Sequence, residues 1–140
     1  MIDTNILVYA YDPSESAKHQ IAMRVVLELL REQRSVLSVQ VLNEFYYTIT
    51  RPRRPAALAH QEAAQVVRDM ASASVVLSLT REVTLRALEA IPQYAFSFWD
   101  ALIWAAAREH GIGVIYTEDF QHGREIEGVR FINPFTTTRE

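Results

Sequence analysis

Short apolar runs alternate with longer stretches in which apolar residues recur every three or four positions, a pattern that predicts strands followed by helices. Met1-Ile2 predicts a very short strand ending at Asp3, and Ile6-Leu7-Val8-Tyr9 predicts a turn or short helix after it. Asp12-Pro13-Ser14-Glu15 supplies an N-cap residue, a proline at the first helical position and a glutamate at the third, so a helix is predicted from there to about residue 34. Ala17, Ile21, Val25 and Leu29, spaced at four, would form its apolar face. Ser35-Val36-Leu37-Ser38 predicts a strand, residues 39–50 a helix carrying Glu44, and Arg51-Pro52-Arg53-Arg54-Pro55 a loop. A helix over 56–71 and the β-branched strand Val75-Val76-Leu77-Ser78-Leu79 follow. Thr80 would cap a helix ending before Pro92, and Ser97 one over 98–110 that Gly111 closes. Gly113-Val114-Ile115-Tyr116 and Val129-Arg130-Phe131-Ile132 are the last predicted strands.

No repeat or low-complexity tract interrupts this order, so residues 1–140 are read as one domain. Short strands buried on both faces and separated by helices imply right-handed crossovers onto a parallel sheet. The expected fold class is α/β: a three-layer α/β/α sandwich with a mostly parallel sheet of about five strands. Ligands of such sheets bind outside the carboxyl ends of the strands, so the residues that follow each strand matter most.

Four acids stand there. Asp3 follows the first strand, Glu44 sits on the helix leaving the second, Asp100 opens the helix before the fourth, and Asp119 comes three residues after Tyr116. Two carboxylates ~4 Å apart repel by about 4 kcal/mol at an effective dielectric near ~20, so a cluster of four takes up protons or recruits a cation. Oxygen ligands with no thiolate and no nearby histidine suit Mg²⁺ or Mn²⁺. A cation so held lowers the pKa of a bound water and neutralises charge on a phosphoryl oxygen, which is the chemistry of phosphodiester hydrolysis. Each acid also has a simpler duty. Ser97-Phe98-Trp99-Asp100 is itself a capping box, Asp119 stands beside Glu118 in a turn, and Glu44 is one acid among many on helix surfaces. The four together carry the reading.

Composition narrows the field further. Fourteen basic against seventeen acidic residues leave a net charge of −3, which argues against a basic protein held on nucleic acid by bulk charge. The absence of cysteine excludes disulfides, a thiolate nucleophile and Cys-ligated metal. The longest run without Asp, Glu, Lys or Arg covers residues 70–80, well short of the ~20 residues of a spanning helix. No basic segment followed by an apolar core opens the chain, so neither a signal peptide nor a membrane association is expected, and the expected location is cytoplasmic.

Around these acids the sequence resembles the PIN-domain family of metal-dependent nucleases, and within it the VapC-like toxins. The matching pieces are Ile2-Asp3-Thr4-Asn5, Ser38-Val39-Gln40-Val41-Leu42-Asn43-Glu44-Phe45, Trp99-Asp100-Ala101-Leu102-Ile103 and Ile115-Tyr116-Thr117-Glu118-Asp119-Phe120. The last runs on through Gly123 and Glu127-Gly128 to Asn133-Pro134-Phe135. Only Met1 and Ile2 precede Asp3, where the family usually places several apolar residues. The resemblance implies that Asp3, Glu44, Asp100 and Asp119 are the catalytic, metal-binding acids, with Asp3 and Asp100 foremost as direct ligands. It implies that Asn5 and Thr117 orient carboxylates or water. It implies a Mg²⁺- or Mn²⁺-dependent endoribonuclease, the toxin of a type II toxin–antitoxin pair, with an RNA substrate, a cognate antitoxin and a homodimeric state. The alternative is a PIN-like binding or scaffold module without turnover.

Outside the acids, Arg51, Arg53 and Arg54, stiffened by Pro52 and Pro55, are candidates to grip substrate phosphate. His19, His60, His110 and His122 lack metal-ligand spacing. The run Tyr94, Phe96, Phe98, Trp99 and Trp104 reads as core rather than as a base-stacking platform. The helical face Phe45, Tyr46 and Ile49 is apolar enough to supply a dimer contact, and Tyr9, Tyr46 and Tyr47 could equally line an antitoxin groove.

Overall fold

The computed structural model describes residues 1–136. Among them, in chain order, lie α1 (Thr4–Tyr11), α2 (Ser16–Arg31), β1 (Val36–Ser38), α3 (Val39–Ile49), α4 (His60–Ala73), β2 (Val75–Leu77), α5 (Arg81–Tyr94), α6 (Phe98–Glu109), β3 (Val114–Tyr116), β4 (Glu125–Ile126) and β5 (Val129–Ile132). None of these helices is long and apolar enough to cross a membrane.

The α/β alternation is as expected, but the continuous five-stranded sheet is not. Five short strands fall into two small sheets: β1 pairs β2 in parallel, and β5 pairs β3 in parallel and β4 antiparallel. Strands of two to four residues make few ladder bonds, and the position between the sheets is taken by the N-terminal residues alone. Ile2 forms a single parallel bridge with Tyr116. Asp3 N–H donates to Tyr116 O, Tyr116 N–H to Met1 O, and Ile2 N–H to Val36 O, each at 2.9 Å. Residues 1–3 therefore stitch β3 to β1, and this junction delivers Asp3 to the site.

Four helices start on the residues that their chemistry favours. Asp3, Ser38, Thr80 and Ser97 accept backbone N–H groups at the heads of α1, α3, α5 and α6. α2 begins later than its Asp-Pro-Ser-Glu signal implied. Asp12 instead closes α1, and its carboxylate accepts the N–H of Ser14 at 2.9 Å and pairs with Arg54. The buried stripe of α2 is Ala22, Val26 and Leu29 rather than the spaced-at-four set, and Ala17 is exposed. A strict spacing of four drifts around a helix of 3.6 residues per turn, whereas a four-then-three spacing stays on one face.

Two other boundaries move, and one hairpin is new. α4 starts at His60, because Leu58 N–H turns back to Ile49 O at 2.8 Å and holds 56–59 as loop. α5 runs through Pro92 to Tyr94. Pro92 is exposed, so its ring and the carbonyl that it leaves unpaired face solvent, and Tyr94 anchors the last turn against Trp104 at 5.6 Å between ring centres. The β4–β5 hairpin was not anticipated; Glu127 and Gly128 turn it, both with positive φ (48° and 80°). α6 lies in the middle of the core: residues 101–107 are all buried, and the Trp104 indole donates to Ile126 O at 3.2 Å.

Candidate active site

α1 begins at the junction of the two sheets, so its first residues meet groups from β3 and α3. Asp3 is only 8% exposed. One carboxylate oxygen accepts Thr4 N–H and the other the Thr117 hydroxyl, each at 2.7 Å. Thr117 is fully buried and passes the link on, since its Oγ1 accepts Asp119 N–H at 3.1 Å. Asn5 Nδ2 donates to Asp119 Oδ2 at 3.0 Å. From α3, Glu44 accepts the Thr4 hydroxyl at 3.0 Å and Gln40 Nε2 at 2.8 Å. One short network thus joins Asp3, Glu44, Asp119, Asn5 and Thr117.

Asp3, Asn5, Glu44 and Asp119 line one open cavity of about 380 Å³, together with Tyr9, Glu15, Thr48 and Arg54. Asp100 is not on that wall, but its charge reaches Asp119. Burial pushes the Asp3 carboxyl up to about 7, against the opposing hydrogen bonds from Thr117 and Thr4, and the charges of Asp119 and Glu44 add to the rise. Asp119 is raised too, first by partial burial, then by the carboxylates of Asp100 and Glu118, with the Asn5 hydrogen bond opposing. Acids from four elements therefore feel one another in one place.

The donors fit a hard divalent cation in kind. They are oxygens throughout, they carry mutually repelling charge, and Asn5, which lines the cavity, has a buried Oδ1 with no hydrogen-bond partner among the described residues. In arrangement they are looser: among the described residues, no three acids or imidazoles stand close enough together to enclose an ion. Each carboxylate of the network is tied to neutral donors.

The arginines separate. Arg54 lines the cavity and pairs with Asp12, tying the loop after α3 to the α1–α2 turn. Arg51 lies over the Tyr47 ring at 4.8 Å, and Arg53 is exposed. The aromatic expectation holds for Phe96 and Trp104, which are buried, and fails for Trp99 and Phe98, which are 60% and 40% exposed at the start of α6. The face expected to be free for self-association is not free: Phe45 and Ile49 are in the core. Val39, Asn43 and Tyr47 are the exposed residues of that helix, and Tyr47 and Asn43 join Trp99, Leu79, Gln40 and Glu44 around a second hollow of about 300 Å³.

The family model of the PIN domain matches residues 1–124. The chain belongs to the PIN domain family. Among solved structures, this PIN domain is similar to VapC20 of Mycobacterium tuberculosis, described as a sarcin–ricin-loop-cleaving toxin. That match has a TM-score of 0.67 at 24% identity over 92% of this chain and 97% of the other. A toxin–antitoxin complex from Klebsiella pneumoniae gives a TM-score of 0.67 at 19% identity, over 97% and 98% of the two chains. VapBC2 of Rickettsia felis, solved bound to a DNA fragment from its promoter, gives 0.64 at 19% identity over 94% and 95%. No curated protein sequence matches.

Two residues of the site were given no role in the sequence reading. Thr4 and Gln40 hold Glu44, and both lie inside the quoted motifs, Thr4 between Asp3 and Asn5 and Gln40 four residues before Glu44. That spacing puts Gln40 and Glu44 on one helix face and was a usable signal. Tyr9, read in the sequence as a candidate to line an antitoxin groove, lines the cavity of the acids.

Proposed function

We propose that this PIN domain is a Mg²⁺- or Mn²⁺-dependent endoribonuclease, the toxin of a type II toxin–antitoxin pair. The observation that supports it most is the meeting of the carboxylates of Asp3, Glu44 and Asp119 on one cavity, with Asp100 close enough to raise Asp119. These four acids would hold the metal. When bound, such an ion lowers the pKa of water and neutralises charge on a phosphoryl oxygen. Thr117 holds Asp3 and the Asp119 backbone in register, Asn5 turns the Asp119 carboxylate, and Thr4 and Gln40 fix Glu44.

Arg54 is the arginine placed to take a substrate phosphate, exchanging Asp12 for it as a strand of RNA enters. The likeness to toxin–antitoxin complexes supports an antitoxin partner, and the pair would act in the cytoplasm. The exposed Tyr47, Leu79 and Trp99 supply the apolar surface for a homodimer. Purified protein is expected to cleave RNA with Mg²⁺ or Mn²⁺ and to stop with EDTA, while folded Asp3→Asn and Asp100→Asn variants do not cut. Cutting by both variants at the wild-type rate refutes the mechanism.

A second reading, a PIN-like binding or scaffold module without turnover, draws on the looseness of the acids as they stand. Calorimetric titration separates the two, because the module takes up no Mn²⁺ even at millimolar ion.

A further inference from the structure

Lysine occurs once in the chain, at position 18 on α2, and its ammonium sits where four segments meet. Nζ donates to Glu118 Oε2 at 2.7 Å and to the Tyr9 hydroxyl at 3.1 Å. The Tyr9 hydroxyl donates to Glu118 Oε1 at 2.8 Å, closing a ring of three hydrogen bonds. The Tyr9 and Phe135 rings lie 4.6 and 5.4 Å from the same nitrogen and meet each other edge to face at 5.2 Å. One cation therefore joins α1, α2, the turn after β3 and the segment after β5.

Both oxygens of Glu118, the residue next to Asp119, accept hydrogen bonds in this ring. What the ring fixes is the turn. Asp119 is exposed, and among the described residues its own restraints are one hydrogen bond to its carboxylate from Asn5 and one from its N–H to Thr117. A carboxylate on a turn free to move would lose that freedom on gripping an ion, at an entropic cost. Anchoring the residue next to it removes part of that cost in advance. Lys18 also offsets the Glu118 charge, which otherwise adds to the repulsion on Asp119.

We propose that Lys18, Tyr9 and Glu118 are positioning residues whose clamp holds the turn 117–119 so that the Asp119 carboxylate stays directed at the cavity of Asp3 and Glu44. The part of this that concerns metal affinity rests on the metal reading above. Lys18→Met keeps the stem and removes the charge, Lys18→Arg restores the charge, and Tyr9→Phe removes only a hydroxyl. In the metal-free full chain, hydrogen exchange at the Asp119 amide is expected to rise about tenfold in Lys18→Met, with amides in the middle of α2 and α6 unchanged. Tyr9→Phe moves the same amide in the same direction by less, and Lys18→Arg recovers most of the protection. Mn²⁺ affinity, followed by calorimetry, falls roughly five- to tenfold in Lys18→Met and falls no further when that change is added to Asp119→Asn.

Unchanged exchange at Asp119 overturns the proposal, as does an equal acceleration along the whole of α2, which an ion pair of purely structural value would give. An equal Mn²⁺ loss from Lys18→Met in the wild-type and Asp119→Asn backgrounds overturns it too. A wild-type chain that binds no Mn²⁺ contradicts the metal reading instead, and the exchange measurement then decides on the clamp by itself.

Discussion

Asparagine in place of Asp3 removes a charge from a carboxyl that is 8% exposed and pushed up to about 7. In the unfolded chain the same group ionises near 3.8. Between those values the folded state keeps a proton that the unfolded state has lost, so the metal-free protein loses stability as pH rises from about 4 to about 7 and levels off above. Three pKa units at ~1.4 kcal/mol each put the ceiling of that loss at about 4 kcal/mol. Asparagine keeps the acceptor for Thr4 N–H, while the Thr117 hydroxyl must accept where it now donates, a change worth ~1 kcal/mol. The Asp3→Asn variant should therefore match the wild type or fall short by about 1 kcal/mol at pH 4, and exceed it by about 1–3 kcal/mol at pH 8.

The comparison has to be variant against wild type at each pH. Burial lowers the Met1 ammonium to about 5, which makes stability rise between pH 5 and 8 and masks the Asp3 slope in either protein taken alone. Urea unfolding in EDTA across pH 4–8 supplies the difference directly. A difference that does not change with pH, or a variant less stable than wild type at pH 8, refutes the electrostatic account of the cavity.

Ser97 caps α6 through the N–H of Asp100 at 3.2 Å, so Ser97→Ala should cost about 1 kcal/mol in urea unfolding. The same change loosens the turn that carries Asp100 and should weaken Mn²⁺ binding. Arg54→Ala should raise KM for RNA several-fold and leave kcat close to wild type, because Arg54 touches the cavity and none of the four acids; an equal loss in kcat contradicts that role. Gly128 sits at φ 80° in the β4–β5 turn, where Gly128→Ala should cost about 1 kcal/mol in thermal unfolding with cleavage unaffected.

Elements with strong local chemistry were legible in the sequence. Thr80 and Ser97 each announced a helix, and Gly111, at φ 68°, ended one. The start of α2 was misread because Asp12 served a different partner: Arg54, forty-two residues away, holds the carboxylate that the local motif assigned to a cap. Pro92 inside α5 and the loop at 56–59 have the same origin, since solvent exposure and a contact with Ile49 decided them rather than propensity. The sheet was over-counted because apolar runs show that strands exist, not that their edges pair; only the bonds from residues 1–3 reveal where the two sheets meet. Of the site acids, Asp3, Glu44 and Asp119 come together as their positions after strands suggested, and Asp100 stands apart from the cavity wall while still felt there. Arg54 and Thr4 acquire their places only through contacts across the fold, whereas Gln40 reaches Glu44 one turn along the same helix.

The claim on which the account stands is that these acids hold a divalent ion. Titrating metal-free protein with Mn²⁺ and counting bound ion by electron paramagnetic resonance addresses it most directly. Uptake that Mg²⁺ displaces, and that is lost in Asp3→Asn and weakened in Asp119→Asn while both remain folded, is the expected result. Mn²⁺ left free in solution at millimolar concentration, or bound equally well by both variants, would contradict it.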